Sequence, residues 1–242
     1  ELKDGRILFV YSRFIGGSGS DHAPAQLVGR YSADQGISWT IDDQVIVDRE
    51  GDMNVMSVSL LRLKNCAIAL VYARKNSFSD CIPQLRISED EGKTWTNPKA
   101  IIQDKKGYFV VNNDRIVQLK SGRLLVPVSM HKTPETPWKN KGTIQCYYSD
   151  DNGMSWHAGD SVLTPDRIIT QEPGLVELKR GKLMVYMRAS GGTQYQSFSE
   201  DEGLTWTMAV PAAIPSPISP ASIKKIPGTR DLLLVWSNNG AS

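Results

Sequence analysis

The octamer Ser-x-Asp-x-Gly-x-Ser/Thr-Trp occurs four times in this chain, at residues 32–39, 88–95, 149–156 and 199–206. Its tryptophans lie 56, 61 and 50 residues apart, and self-similarity at that period marks a repeat architecture. Each position has a physical task. The aspartates Asp34, Asp90, Asp151 and Asp201 are placed to accept hydrogen bonds from backbone N–H groups of their own turns. The glycines Gly36, Gly92, Gly153 and Gly203 supply the positive φ that a tight reversal needs. The tryptophan is expected to start the next strand and to offer a flat surface to a neighbouring sheet. The octamer is thus a hairpin turn with a tryptophan wedge, a folding device rather than a catalytic one.

A second motif repeats between the octamers. Leu2-Lys3-Asp4-Gly5-Arg6 has counterparts in Leu119-Lys120-Ser121-Gly122-Arg123 and Leu178-Lys179-Arg180-Gly181-Lys182, with looser versions at 63–72 and 226–236. Each joins two strand-length runs through a glycine turn. One full unit then reads strand, glycine turn, strand, loop, strand, Asp-Gly turn, strand: a four-stranded antiparallel meander the size of one propeller blade. Units are expected at about 1–47, 54–102, 108–163, 168–214 and 219–242. No segment sustains a 3.6-residue apolar period, so helix should be scarce. The expectation is an all-β propeller, present as a partial ring of about four and a half blades cut from a longer one.

Composition narrows the function classes. With 242 residues, 22% of them charged, and a net charge of +2, the chain gives no global reason to expect nucleic acid or an anionic membrane as partner. The apolar runs 66–72 and 232–236 are strand-sized, far short of a membrane span. Cys66, Cys81 and Cys146 are odd in number and widely spaced, which suits buried free thiols rather than a disulfide framework or zinc site. No metal-ligand spacing, phosphate-binding glycine loop or organic cofactor motif is present. No leader sequence is visible, and a secreted or periplasmic setting is favoured over the cytoplasm.

The first strand of each unit would line a propeller's channel, and here it is rich in polar residues: Asp52 and Asn54, then Asn112, Asn113, Asp114 and Arg115, then Gln171 and Glu172. A strand that merely packed would alternate. These groups suit a polar ligand at a channel mouth, or a solvated channel with structural hydrogen bonds. Arg13, Arg74 and Arg188 end equivalent hairpins, which makes either an electrostatic trap for an anionic ligand or a set of surface ion pairs. His131 follows the equivalent strand of the third unit and is placed to bond a substrate hydroxyl or move a proton. Tyr195 would pack or bind substrate. Trp138 would either wall one face of a ligand or pack its own loop.

Four such octamers on a propeller resemble the Asp-box (BNR) repeats of the sialidase superfamily, over essentially the whole chain. The resemblance implies a six-bladed propeller and a retaining exo-glycosidase that uses a tyrosine nucleophile activated by a glutamate. It further implies three arginines that clamp the sugar carboxylate and an aspartate acid/base on a mobile loop. Gln171-Glu172-Pro173-Gly174 and Met187-Arg188 stand where the family has its glutamate and second clamp arginine. A phenol with pKa near 10 needs such a base, and a guanidinium fork binds a carboxylate bidentately. Asp21, after Arg13 and the loop Gly16-Gly17-Ser18-Gly19-Ser20, matches the acid/base, and Arg13 an auxiliary arginine. A flexible surface loop with an incidental aspartate is the alternative.

Asn54, Arg74, Arg86, Asn112, Asp114, Arg115 and His131 fit a narrower subgroup of sialidase-like propellers, and Asn54, Asn112, Asp114 and Arg115 would shape the pocket floor. By the same resemblance the first clamp arginine precedes Glu1, while the third and the tyrosine follow Ser242. The segment alone is therefore expected to be inactive, and the whole protein to remove a terminal sialic acid or related acidic sugar from glycoconjugates. Two alternatives stay open: a same-fold glycosidase or lyase acting on another uronic-type sugar, and a non-catalytic carbohydrate-binding propeller.

Overall fold

The computed structural model describes residues 1–17 and 20–238. Ser18 and Gly19 of the glycine-rich loop, and residues 239–242 of the fifth unit, lie outside the described residues. The chain divides into two compact units, Glu1–Ala100 and Ile101–Ser242. The first contains β1 (Ile7–Phe14), β2 (Ala25–Ser32), β3 (Gln44–Val47), β4 (Asn54–Arg62), β5 (Ile68–Ser77), β6 (Asp80–Ser88) and β7 (Lys99–Ala100). The second contains β8 (Tyr108–Val110), β9 (Val117–Gln118), β10 (Leu124–Lys132), β11 (Thr143–Ser149), β12 (His157–Ser161), β13 (Thr170–Glu177), β14 (Leu183–Ala189), β15 (Thr193–Ser199), β16 (Val210–Pro215), β17 (Ser222–Lys225) and β18 (Leu232–Val235). Among the described residues the one helical element is a 3-10 turn at Lys179–Gly181, so the chain is all-β.

Every pairing among the described residues of these units is antiparallel, and apart from β8 with β10 each joins sequence neighbours. In the first unit β1-β2-β3 and β4-β5-β6-β7 are meanders. In the second, β10 pairs with β8, β9 and β11, and β11 with β12. β13 to β16 form another meander, and β17-β18 a hairpin. The middle strands carry the core. β5 begins with six consecutive buried residues, as does β10, because both their faces are covered and an unbroken apolar run is then favoured over alternation. Outer strands such as β12 bury only their centre.

The four octamers fold alike. Ser32 Oγ donates to Asp34 Oδ1 at 2.8 Å and accepts from the Gly36 amide at 2.8 Å. Asp34 Oδ1 accepts from the Ser38 amide and Oδ2 from the Ser38 hydroxyl, at 2.9 and 2.6 Å. The same bonds recur around Asp90, Asp151 and Asp201. Positive φ is needed at two positions rather than one. Gln35, Glu91, Asn152 and Glu202 precede the glycines and are left-handed as well, and paired positive φ is what closes a hairpin with the right twist.

None of the four tryptophans starts a strand, and three of the copies delay the next strand further. In these the residue after tryptophan is Thr40, Thr96 or Thr207, and its hydroxyl accepts the N–H of Tyr31, Ile87 or Phe198. That side-chain bond replaces a ladder bond, and regular pairing resumes only at Gln44, Lys99 and Val210. The third copy has His157, which lacks a hydroxyl, and there β12 begins directly after Trp156. Trp95 and Trp206 pack against the cores of their own units.

These turns make the fold sensitive to acid. Hydrogen bonds from the Ser38 or Thr94 hydroxyl, the amide of the same residue and the Ser32 or Ser88 hydroxyl hold Asp34 and Asp90 down to about 2. At Asp151 burial pulls upward, but the Ser155 hydroxyl and amide and the Ser149 hydroxyl outweigh it, again to about 2. A depressed carboxylate stabilises the fold above its unfolded pKa near 3.9 and loses that contribution as pH falls toward 2. Stability measured by chemical unfolding should therefore drop between about pH 4 and 2. Asp34→Asn with Asp90→Asn should flatten that limb, and an unchanged slope would refute the linkage.

Candidate functional site

The candidate corner of the second unit is a bulge. β13 pairs with β14 regularly from Gly174 to Glu177 and again at Thr170 and Gln171, but the register shifts between Gln171 and Gly174. The extra residue is accommodated by Glu172 at φ 47°, a conformation that a glutamate adopts only at a cost of about 1–3 kcal/mol. Pro173 has no N–H to give the ladder. A bulge re-aims its side chain, and Glu172 Oε2 here accepts Arg188 Nη1 from the facing strand at 2.9 Å. Both side chains keep about a quarter of their surface open, and Arg188 Nε is buried with no partner. The guanidinium is thus anchored by one nitrogen and retains donors for an incoming anion. Ser57 and Asp114 are left-handed too, and with Glu172 they stand 57 and 58 residues apart. The bulge is a device of the repeat, which at Glu172 carries an acid.

His131 shares this corner. Its Nδ1 lies 2.8 Å from the Lys139 carbonyl, which can only accept, so Nδ1 carries the hydrogen and Nε2 accepts from Ser129 Oγ at 3.0 Å. Burial lowers its pKa; the Arg188 charge acts the same way, against the Lys139 carbonyl and Glu172. The ring is therefore neutral at pH 7. Trp138 stacks on it at 4.9 Å and meets Tyr108 edge-on at 5.2 Å. Half-exposed Trp138 is pinned by these rings rather than loose. Gln171 Nε2 donates to the Asn140 carbonyl at 2.6 Å, tying the Trp138 loop to the strand that carries Glu172.

In the first unit the Asp21 loop is fastened by its backbone. Buried Asn54 donates from Nδ2 to the carbonyls of Asp21 and Ala23 at 2.9 and 2.8 Å, so its role is to hold the loop. A second anchor, Lys75, was not foreseen. It is 3% exposed; its Nζ donates to the Asp21 carbonyl at 2.9 Å and lies 3.3 Å from His22 Nδ1. Burial lowers its pKa. The available signal was a lysine closing the apolar run of β5 right after Arg74. The Asp21 side chain stays exposed. Lys75→Met should speed amide exchange at residues 21–23 by about tenfold, the loss of one charged hydrogen bond, with global stability changed by less than about 1 kcal/mol. Unchanged exchange would show that Asn54 alone holds the loop.

The other candidates divide. Arg74 is half-buried, its Nε has no partner, and no ion pair engages it among the described residues. Arg13, by contrast, donates to Asp43 Oδ2 at 3.1 Å and Gln26 Oε1 at 2.7 Å, beside Tyr11 and Arg30 on the same carboxylate. Arg86 is bound to Glu50, Tyr72 and the Thr96 carbonyl. Arg115 is 3% exposed and donates to Tyr186 Oη and the Ala221 carbonyl, a packing role. Asp114 pairs with Lys224 at 2.9 Å. Asn112 accepts the Asn113 amide. Tyr195 is part of the second unit's apolar core. Among the described residues no group of three or more His, Cys, Asp or Glu side chains could hold a metal ion.

The BNR repeat-like domain family matches residues 42–240. Sialidase-3 of Rattus norvegicus is 30% identical over 132 residues, 48% of this chain and 31% of that protein. A Paraclostridium sordellii sialidase is 26% identical over 238 residues, 87% of this chain and 56% of that protein. The chain thus spans between 31% and 56% of these two curated relatives. In structure, a Hadza microbial sialidase aligns with a TM-score of 0.74 at 20% identity, over 93% of this chain and 48% of that one; the likeness is one of fold. With four Asp-boxes and a family match over most of its length, this chain is a BNR repeat protein of the sialidase superfamily.

Proposed function

We propose that this chain is the part of a sialidase-like exo-glycosidase that binds the carboxylate of a terminal sialic acid or related acidic sugar and supplies its base. In this reading the meanders are blades of a six-bladed propeller. The observation that carries it is the Glu172–Arg188 pair, set on a strained bulge and left part-open. Strain of this kind persists where the surroundings hold it for a task. Arg188 takes the sugar carboxylate with the N–H groups that Glu172 leaves free. Glu172 accepts the proton of the attacking tyrosine, which raises that oxygen's nucleophilicity. Asp21 gives a proton to the leaving oxygen as the tyrosine oxygen bonds the anomeric carbon, then takes one from the water that displaces the tyrosine, and the two inversions together retain the configuration. Arg74 supplies further positive charge, and neutral His131 with Trp138 forms a wall that donates no charge.

The test is turnover of a fluorogenic aryl sialoside by the intact protein, with the anomer released first identified by NMR. Retention with turnover supports the assignment. The absence of turnover on sialosides, with or without activity on uronides, would reject it.

A further inference from the structure

A cationic cleft lies at the other end of the β13–β14 hairpin. Glu172 and Arg188 stand at one end of these paired strands, and the 3-10 turn joins them at the other, about five residues or roughly 15 Å away. Around that turn is a cleft of about 640 Å³, the size of a small-molecule site. Three glycine turns of the repeat feed it. The third unit's turn brings Lys120, the fourth's brings Lys179, Arg180 and Lys182, and the fifth hairpin brings Lys225 and Arg230. Against these six cations the lining holds one acid, Glu177.

That imbalance is local, since the whole chain carries a net charge of only +2. Lys182 has Glu200 at 3.7 Å. Lys179, Arg180, Lys225 and Arg230 have no acidic partner among the described residues. Elsewhere the same motif is neutralised: Arg6 pairs with Asp4, and Arg123 with Asp150. Arg180 also occupies a left-handed position at φ 60° beside left-handed Gly181, where glycine or asparagine would sit with less strain. Leu178 and Leu232 give the cleft an apolar wall. Like charges gathered in a concave site repel one another and raise the local concentration of counter-ions. Guanidinium and ammonium groups converging from separate turns match an anion with several charged arms.

We propose that this cleft binds a compact multivalent anion, a ring-based molecule bearing clustered sulfate or phosphate groups, at a site separate from Glu172 and Arg188. Sulfated oligosaccharide and polyol phosphate share this chemistry. The test titrates the intact protein calorimetrically with a heparin-derived tetrasaccharide and, separately, with inositol hexakisphosphate. At least one probe should bind at low salt and weaken steeply as salt rises. Lys179→Ser with Arg180→Ser, and Lys225→Ser with Arg230→Ser, should each weaken binding by about tenfold or more, while Arg188→Ala leaves it unchanged. Preference for one probe identifies sulfate or phosphate as the natural group, and equal binding means that the cleft reads charge density. Binding by neither probe, equal binding by all variants, or loss in Arg188→Ala would overturn the proposal. Lys179 and Arg180 are exposed turn residues, so that double variant decides the matter if the other fails to fold.

Discussion

Glu172→Gln in the intact protein is expected to lower kcat on an aryl sialoside by about a thousandfold, with KM moving by less than about tenfold. The amide is nearly isosteric and its oxygen can still accept from Arg188 Nη1, so the carboxylate clamp stays in place. What disappears is the base. A phenol near pKa 10 leaves only a trace of phenolate at neutral pH, and an amide cannot take its proton. The bulge supplies a second, independent arm. Because Glu172 is held at φ 47°, Glu172→Gly relieves a strain of about 1–3 kcal/mol and should leave stability equal or higher while activity is lost. A residue kept for folding would show the opposite, a loss of stability in step with any loss of rate. Asp21→Asn separates the two carboxyl roles: its defect should be largest on substrates with poor leaving groups, which need the proton, and smallest on aryl sialosides. If Glu172→Gln keeps more than about a tenth of wild-type kcat, the glutamate is not the base.

The octamers announced the fold because their chemistry is local. Ser32, Asp34, Gly36 and Ser38 satisfy one another within seven residues, so spacing alone revealed the turn. The pairing of Glu172 with Arg188 was legible for a similar reason, since both belong to one hairpin whose glycine turn is visible in sequence. What could not be read is where long side chains end. Arg13, Arg74 and Arg188 occupy equivalent hairpin positions, yet Arg13 is drawn onto Asp43, thirty residues away, while Arg74 Nε is left without a partner. Arg115 looked like a pocket residue because it follows Asn112, Asn113 and Asp114; the link between β8 and β9 turns at left-handed Asp114, and Arg115 is carried inward to Tyr186. Lys75 escaped notice because burying an ammonium is costly, and only the folded loop supplies the Asp21 carbonyl that offsets it. Left-handed geometry at Glu172 also had no sequence signal, because the position is occupied by a residue that does not favour it.

Gly174→Ala should be severely destabilising, costing about 3–5 kcal/mol. Gly174 and Tyr186 face each other across β13 and β14, and the tyrosine ring lies over the glycine. A Cβ at 174 would stand 2.6 Å from Tyr186 Cε2 and closer still to Cζ and Oη. The ring cannot swing aside at little cost. It is 2% exposed, and its Oη accepts from Arg115 Nη1 at 3.2 Å and from the Ile223 amide at 2.9 Å. Displacing it exposes an aromatic surface and leaves two buried donors without that acceptor, each worth about 1–3 kcal/mol. Tyr186→Phe isolates the second effect, since it keeps the ring and removes only the hydroxyl, and should cost less than Gly174→Ala. Tyr186→Val makes room at the same spot, so the double variant Gly174→Ala/Tyr186→Val should be destabilised by clearly less than the sum of the single changes. Urea unfolding of the four proteins reads all of these differences. Because Gly174 lies two residues beyond Glu172, the methyl should also disturb the bulge and lower kcat in whatever fraction remains folded. A Gly174→Ala protein within about 1 kcal/mol of wild type, or strictly additive double-variant energies, would mean that the Tyr186 ring does not pin this bulge to β14.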